Sequence, residues 1–327
     1  MTRRAPRRPE ESIEKLEGLL RYHDLLLRDR VRNAAFTRAL RARLRPGGRV
    51  LDVGTGSGLW AIVAAKLGAS RVVAVEREPL LRPIIEGLIA ENGVGARVEL
   101  ISGDFRGLRL AREFDVVVSE TVGNLLFDED LVRVMAVARA RFLVEGGAMI
   151  PETVVFRAAP AVRRSTFPAP RSLPLQASSF GELVRQVPRA AHRAELTYLA
   201  PPAELARVDL ARCAAGGTNV GRVDASWPLR DLRKVDGIAV WLRLGLSAGV
   251  WLESRACDAW HSTLFPVGPF RARRGTLHFS LETRVSPMAW RVIVDGAEGR
   301  EEADHSAAFA YGAVRAAARR RRTMARA

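Results

Sequence analysis

Apolar residues four apart open the readable part of the chain. Leu27, Val31 and Ala35, then Phe36, Leu40 and Leu44, predict helix over residues 13–44, ended by Arg45-Pro46-Gly47-Gly48. Short apolar runs then alternate with helical stretches. Strands are expected at Arg49–Val53, Arg71–Val75, Arg97–Ile101 and Phe114–Val118, with another beginning at Ala148–Ile150. Between them, Leu59–Leu67, Leu80–Asn92 and Asp130–Phe142 read as helices, the first two stopped by Gly68 and Gly93. Strand–helix alternation with short links implies an α/β fold, a parallel doubly wound sheet covered on both faces. After Pro151 the pattern changes. Strands at Thr153–Ala158, Glu195–Leu199, Ile238–Leu246, Thr276–Glu282 and Trp290–Val294 follow without regular helices, which reads as a mostly antiparallel, β-barrel-like domain.

The expected domains are therefore a basic tail without structure over 1–12, an α/β domain over 13–150, and a β-barrel-like domain over 151–300. A segment at 161–192 fits neither pattern and reads as an insertion. Residues 301–327 are read as a helix over 303–322 running into an arginine-rich tail.

Charge and composition narrow the classes. The chain has 327 residues, a net charge of +16, and only three lysines (Lys15, Lys66, Lys234), so 49 of its 52 basic residues are arginine. Much of the excess sits at the ends, from Arg3 to Arg8 and from Arg315 to Arg326, where it reads first as solvated chain and second as an attractant for nucleic acid or acidic proteins. No charge-free stretch of about 18 apolar residues occurs, so no membrane-spanning helix is expected. The first residues lack the apolar core of a secretory signal. Cys213 and Cys257 alone make neither a disulfide framework nor a zinc site, and a cytoplasmic location is the simplest expectation.

The first chemical signal is Asp52-Val53-Gly54-Thr55-Gly56-Ser57-Gly58, placed after a predicted strand and before a predicted helix. Glycines allow a tight turn and close approach to a ligand, and the helix presents free N–H groups there. Leu59 stands where the dinucleotide pattern needs a third glycine or alanine. Gly54, Gly56 and Gly58, with Asp52 two residues ahead, instead resemble the first motif of the S-adenosyl-L-methionine-dependent methyltransferases. Glu76 ends the second strand, where a carboxylate can accept hydrogen bonds from both ribose hydroxyls. Asp104, at the end of the third, can meet an adenine amino group with Phe105 packed nearby.

The fourth strand runs into Ser119-Glu120-Thr121-Val122-Gly123-Asn124-Leu125-Leu126-Phe127-Asp128-Glu129. The Asn/Asp-Pro-Pro-aromatic motif of nucleic-acid base methylation is not there. This loop resembles the Ser-Glu-x-x-Gly-x-x-Leu-x-x-Glu loop of the protein arginine methyltransferases, and His23 to Arg32 resembles the helix that precedes their sheet. The resemblance covers roughly residues 20–296. It implies a Rossmann-like methyltransferase sheet followed by a β-barrel, with Arg32 on the cofactor's methionine carboxylate and Glu120 and Glu129 gripping the acceptor guanidinium. It also implies an acceptor pocket with Asp258, Trp260 and His261, and a homodimer whose arm would be residues 161–192. Two departures stand out: only Tyr22 remains of a tyrosine-rich lid, and Ala259 occupies the family's histidine position, with His261 beyond the tryptophan.

Three functions remain open on this reading. The resemblance favours N-methylation of arginine in a protein or peptide. Ala259 motivates a small guanidino compound or amine as acceptor. The arginine-rich ends motivate a non-catalytic cofactor- or nucleic-acid-binding protein, which ranks last because inert binding does not require paired glutamates.

Overall fold

The computed structural model of the chain describes residues 9–123, 131–164, 187–213, 220–247, 249–283 and 289–306. Its contacts divide the chain into two units. The first comprises Met1–Val154, Val208–Gly217 and Leu244–Trp260; the second comprises Val155–Arg207, Thr218–Arg243 and His261–Ala327. Residues 208–217 and 244–260, read from sequence as part of the second domain, thus pack with the first.

The first unit opens with helices α1 (Pro9–Arg28) and α2 (Arg30–Arg43). Two expectations change here. Helix begins at Pro9, inside the segment read as unstructured tail. Proline suits a first helical position because its missing N–H would have no partner there anyway. The single helix expected over 13–44 is also broken at Asp29, whose backbone is extended and whose side chain accepts a hydrogen bond from the Arg32 N–H as the N-cap of α2. One face of α2, carrying Arg32, Ala35, Phe36, Ala39 and Leu40, is buried.

Strands β1 (Arg49–Val53), β2 (Arg71–Glu76), β3 (Val98–Ser102), β4 (Phe114–Val118) and β5 (Leu143–Ile150) form one sheet in the order β3-β2-β1-β4-β5, every pair parallel. Helices α3 (Leu59–Lys66), α4 (Arg82–Glu91) and α5 (Leu131–Arg141) alternate with the strands. The near-continuous apolar runs of β1, β2 and β4 are buried, as strands covered on both faces require. Strand order reverses between β1 and β4. Beyond the carboxyl ends of those two strands lies the crevice where open α/β sheets bind ligands.

The second unit is antiparallel wherever its pairings are defined. Strands β6 (Thr153–Arg163), β7 (Arg189–Ala191), β8 (Leu196–Tyr198) and β9 (Ala203–Asp209) precede β10 (Arg222–Leu229), β11 (Gly237–Ser247), β12 (Val250–Glu253) and β13 (Ser262–Pro266); β12, with residues 153–154 of β6, 208–209 of β9 and 244–247 of β11, is counted in the first unit. A path β7-β13-β11-β6-β8 forms one sheet, and Trp241, with alanines 159, 161, 191 and 239, fills a core on it. Strands β14 (Gly275–Glu282), β15 (Ala289–Gly296) and β16 (Gly299–Ser306) join β10 in a four-stranded meander. The helix expected over 303–322 is corrected at its start. Residues 299–306 pair along their whole length with β15, and His305 stacks on Trp290 at 5.2 Å. A continuous ladder to a neighbour outweighs the weak helical preference of a polar octapeptide. The insertion and arm expected at 161–192 begins and ends in strands β6 and β7, and its middle, 165–186, lies outside the described residues, as does the rest of the expected terminal helix.

Candidate active site

The glycine loop leaves β1 at the crevice. Gly54, Gly56 and Gly58 have φ of 70°, 58° and 83°, values that favour glycine strongly. The amides of Gly54 and Thr55 both donate to the Val75 carbonyl, which holds the turn against β2. Space is as restrictive as conformation. A Cβ on Gly54 would lie 2.4 Å from Thr121 Cγ2, and one on Gly56 2.6 Å from His23 Cε1. His23 of α1 therefore lies over the loop, half-buried. Its pKa is lowered, first by burial and then by the charge of Arg32.

The two carboxylates expected at the loop have separate tasks. Asp52 is fully buried in β1; its Oδ2 accepts the Thr55 hydroxyl at 2.5 Å and the Ala61 N–H at 3.0 Å, tying the loop to the first turn of α3. Burial, with Glu76 and Glu120 adding repulsion, raises its pKa to about 7. Glu76 ends β2 half-buried. One oxygen takes the Gly56 N–H at 2.9 Å and the other the Glu78 N–H at 2.8 Å, so the carboxylate sits directly under the loop.

Asp104 ends up in a different setting. It is exposed and forms a fork with the Arg106 side chain, which holds its pKa down to about 2. Its neighbour Phe105 is buried.

At the end of β4, Ser119 is buried and donates to the Val53 carbonyl at 2.8 Å, which fixes the start of the acidic loop against β1. The next residue, Glu120, forms an ion pair with Arg32 Nη2; the two side chains are 8% and 2% exposed. Arg32 is held on every side. Its Nη1 donates to the Leu26 carbonyl at 3.0 Å and to Asn33 Oδ1 at 2.7 Å, and its guanidinium carbon lies 5.2 Å from the Trp60 ring and 5.8 Å from the Trp260 ring. The Arg32 Nε has no hydrogen-bond partner among the described residues. Glu129 lies outside the described residues.

Of the residues assigned from sequence to the acceptor side, Trp260 is buried in the first unit on Arg32, and Asp258 is exposed nearby in the chain. His261 belongs to the second unit, where its ring meets that of His192 at 5.8 Å and burial lowers its pKa. Cys257 is buried, and burial pushes its thiol pKa up, as an inert small hydrophobe. Ala259 makes its contact through its main chain: its N–H donates to Asp29 Oδ2 at 3.0 Å.

Two contributors were missed. Trp60 had no signal beyond its place two residues after the last glycine. Asp29 had one, an N-cap residue ahead of an apolar-periodic stretch. Among the described residues no cluster of His, Cys, Asp and Glu is arranged to hold a metal, and no helix is long and apolar enough to cross a membrane.

Residues 35–163, under half of the chain, match the family of ribosomal protein L11 methyltransferases. The chain is 29% identical over 249 residues to an arginine N(omega)-methyltransferase of Streptomyces achromogenes subsp. streptozoticus, a match covering 72% of this chain and 66% of that protein. It is 33% identical over 133 residues to protein arginine N-methyltransferase 1 of Dictyostelium discoideum, covering 40% of this chain and 39% of the relative. Its match thus spans just under two thirds of the first of these relatives and well under half of the second. Among solved structures, the Trypanosoma brucei PRMT1 enzyme–prozyme heterotetrameric complex with AdoHcy superposes with a TM-score of 0.72 at 19% identity, covering 87% of this chain and 97% of that one.

Proposed function

We propose that this chain, a sequence relative of the arginine methyltransferases that carries their fold, is an S-adenosyl-L-methionine-dependent N-methyltransferase acting on the guanidino nitrogen of arginine. The observation that carries the proposal is Glu120: a buried carboxylate at the strand-order reversal, next to the glycine loop and already paired with a guanidinium.

The residues present fit the cofactor. The left-handed glycines let the loop turn closely with no Cβ against Thr121 and His23, Glu76 lies under it, and Arg32 offers an unused buried N–H beside the loop. Gly54, Gly56, Gly58, Asp52 and Glu76 would hold its nucleoside side and Arg32 its amino-acid end, with Phe105 and Asp104 at the base. When bound, the cofactor supplies an electrophilic methyl group on a sulfonium.

The chain's own residues then deal with a poor nucleophile. Guanidinium charge is delocalised and its pKa is above 12. Glu120, joined by Glu129 in this proposal, grips the fork of N–H groups, draws positive charge away from the attacking nitrogen and fixes that nitrogen in line with the methyl. A new N–C bond forms as the C–S bond breaks, and the nitrogen's proton leaves late to a carboxylate or water. Trp260 and Asp258, both in the first unit, are proposed to line the acceptor pocket. A donor domain over 13–150 joined by the returning residues 208–217 and 244–260, a substrate domain over the rest of 151–300, and a cytoplasmic location are proposed with it.

A second acceptor has specific support. The relative matched over most of this chain is named for arginine itself, and the family's histidine position holds Ala259. Free arginine and arginine peptides should be incubated in parallel with methyl-labelled cofactor and read by mass spectrometry. Label on arginine that disappears in Glu120→Gln, with cofactor binding retained, supports the reading; label elsewhere, or undiminished label in that variant, overturns it. A homodimer is proposed too, supported by exposed apolar side chains along α1 and α2, among them Ile13, Leu20, Leu25, Leu27 and Val31. Sedimentation of the wild type as a monomer at working concentration removes it.

A further inference from the structure

Arg32 and Glu120 belong, in the proposed reaction, to different substrates, yet they hold each other. We infer that Arg32 couples the two substrates: it occupies Glu120 while the crevice is empty and yields it to the acceptor once the cofactor's carboxylate has taken Arg32. Binding is then ordered, cofactor before acceptor. The inference rests on the proposed function and goes beyond it.

The geometry of the guanidinium carries the argument. A guanidinium presents two N–H edges to carboxylates. The Nη1 nitrogen of Arg32 is fastened to the Leu26 carbonyl and to Asn33, and the two indoles close on its planar group, so it cannot turn. The edge that remains is Nε with Nη2. Glu120 Oε2 takes Nη2, and Nε has no partner among the described residues, so this edge is only half used. A carboxylate arriving from the glycine loop, bidentate on Nε and Nη2, satisfies it fully and competes with Glu120 for Nη2.

Charge counts in the same direction. Arg32 and Glu120 alone are neutral. An acceptor guanidinium added alone meets a carboxylate that Arg32 already holds, and a cofactor carboxylate taken by Arg32 leaves Glu120 without its guanidinium. With both present each carboxylate, that of Glu120 and that of the cofactor, has a guanidinium of its own, so each ligand favours the other. Linkage makes that coupling reciprocal. Trp60 and Trp260 are positioning residues here: they keep the Nε–Nη2 edge aimed.

The test is calorimetric and needs no turnover. The 327-residue chain is titrated with a Gly-Gly-Arg-Gly-Gly peptide alone, with S-adenosylhomocysteine, and with methylthioadenosine, which has the adenosine and thioether but no carboxylate. S-adenosylhomocysteine should tighten peptide binding by about tenfold or more, and methylthioadenosine by less than about twofold. Equal peptide affinity in all three states, or equal tightening by methylthioadenosine, overturns the coupling. In Glu120→Gln the competitor for Nη2 loses its charge, so S-adenosylhomocysteine alone should bind about threefold or more tighter than to wild type, with methylthioadenosine unchanged. A folded variant with unchanged affinity overturns it; if the variant does not fold, the three wild-type titrations decide.

The two readings fail separately. Arginine methylated without any effect of S-adenosylhomocysteine on peptide affinity leaves the function and removes the coupling. Coupling present with no label on arginine leaves the coupling and removes the function. No peptide binding in the presence of S-adenosylhomocysteine removes both.

Discussion

A buried carboxylate that must release one guanidinium to take another is costly to build. At 8% exposure, Glu120 is stable because Arg32 is beside it, and removing one partner of such a pair usually costs about 3–5 kcal/mol. Glu120→Gln should therefore abolish methyl transfer and lower the unfolding temperature measured by circular dichroism, while cofactor binding persists. Asp52 gives a different signature. Its folded pKa of about 7 lies above the unfolded value of about 3.9. Between those values the native state keeps a proton that the unfolded chain has released, so stability falls as pH rises through that window. Asp52→Asn removes the titration. The stability advantage of wild type over the variant, measured by urea unfolding, should shrink by roughly 2 kcal/mol between about pH 5 and pH 7 and change little above. Asp29→Ala loses the α2 cap and orphans the Ala259 N–H, a loss of about 2–4 kcal/mol readable as a lower urea midpoint. The glycines, Glu76 and Glu120 were legible in sequence because each owes its place to a strand end a few residues away. The contact of Asp29 with Ala259 joins residues 230 apart through a backbone N–H, and no side-chain pattern encodes it.

At the scale of elements, the glycine loop and α1 act together. Gly56→Ala must strain a φ of 58° and displace His23. It should weaken S-adenosylhomocysteine binding about tenfold or more, since Cβ in this conformation costs about 1–2 kcal/mol before any clash. His23→Ala in the same chain should recover the steric part and leave the conformational part, a partial rescue seen by calorimetry. The parallel sheet was readable because strands buried on both faces are apolar throughout, and helices between them carry their own stops. The antiparallel part was harder. Strands β7, β9, β10, β12 and β13 leave no legible pattern, and the end of β16, residues 303–306, reads as helix. Half-exposed strands carry charged and polar residues, as in Glu301 to His305, and only the neighbouring ladder makes them strands.

Across the whole molecule, a net charge of +16 bears on any cationic acceptor. Long-range repulsion slows its approach, and the local carboxylates act only at short range. Raising ionic strength from about 10 mM to about 100 mM shortens the screening length from about 30 Å to about 10 Å. Under the proposed function, kcat/KM for a cationic arginine peptide should rise over that range; a fall would mean that the acceptor approaches through an acidic field. The arginine-rich ends, which lie outside the described residues, contribute much of this charge. Sequence alone placed the boundary near Pro151, because it marks where composition changes, and composition carries no record of a chain that later returns. Residues 208–217 and 244–260 do return. The first unit is therefore assembled from stretches made at three different times during synthesis. Its last piece carries Trp260, one wall of the Arg32 enclosure. A ribosome must have passed that residue before the unit can close, so a nascent chain released earlier would hold its glycine loop and Glu120 without the lid over their shared arginine.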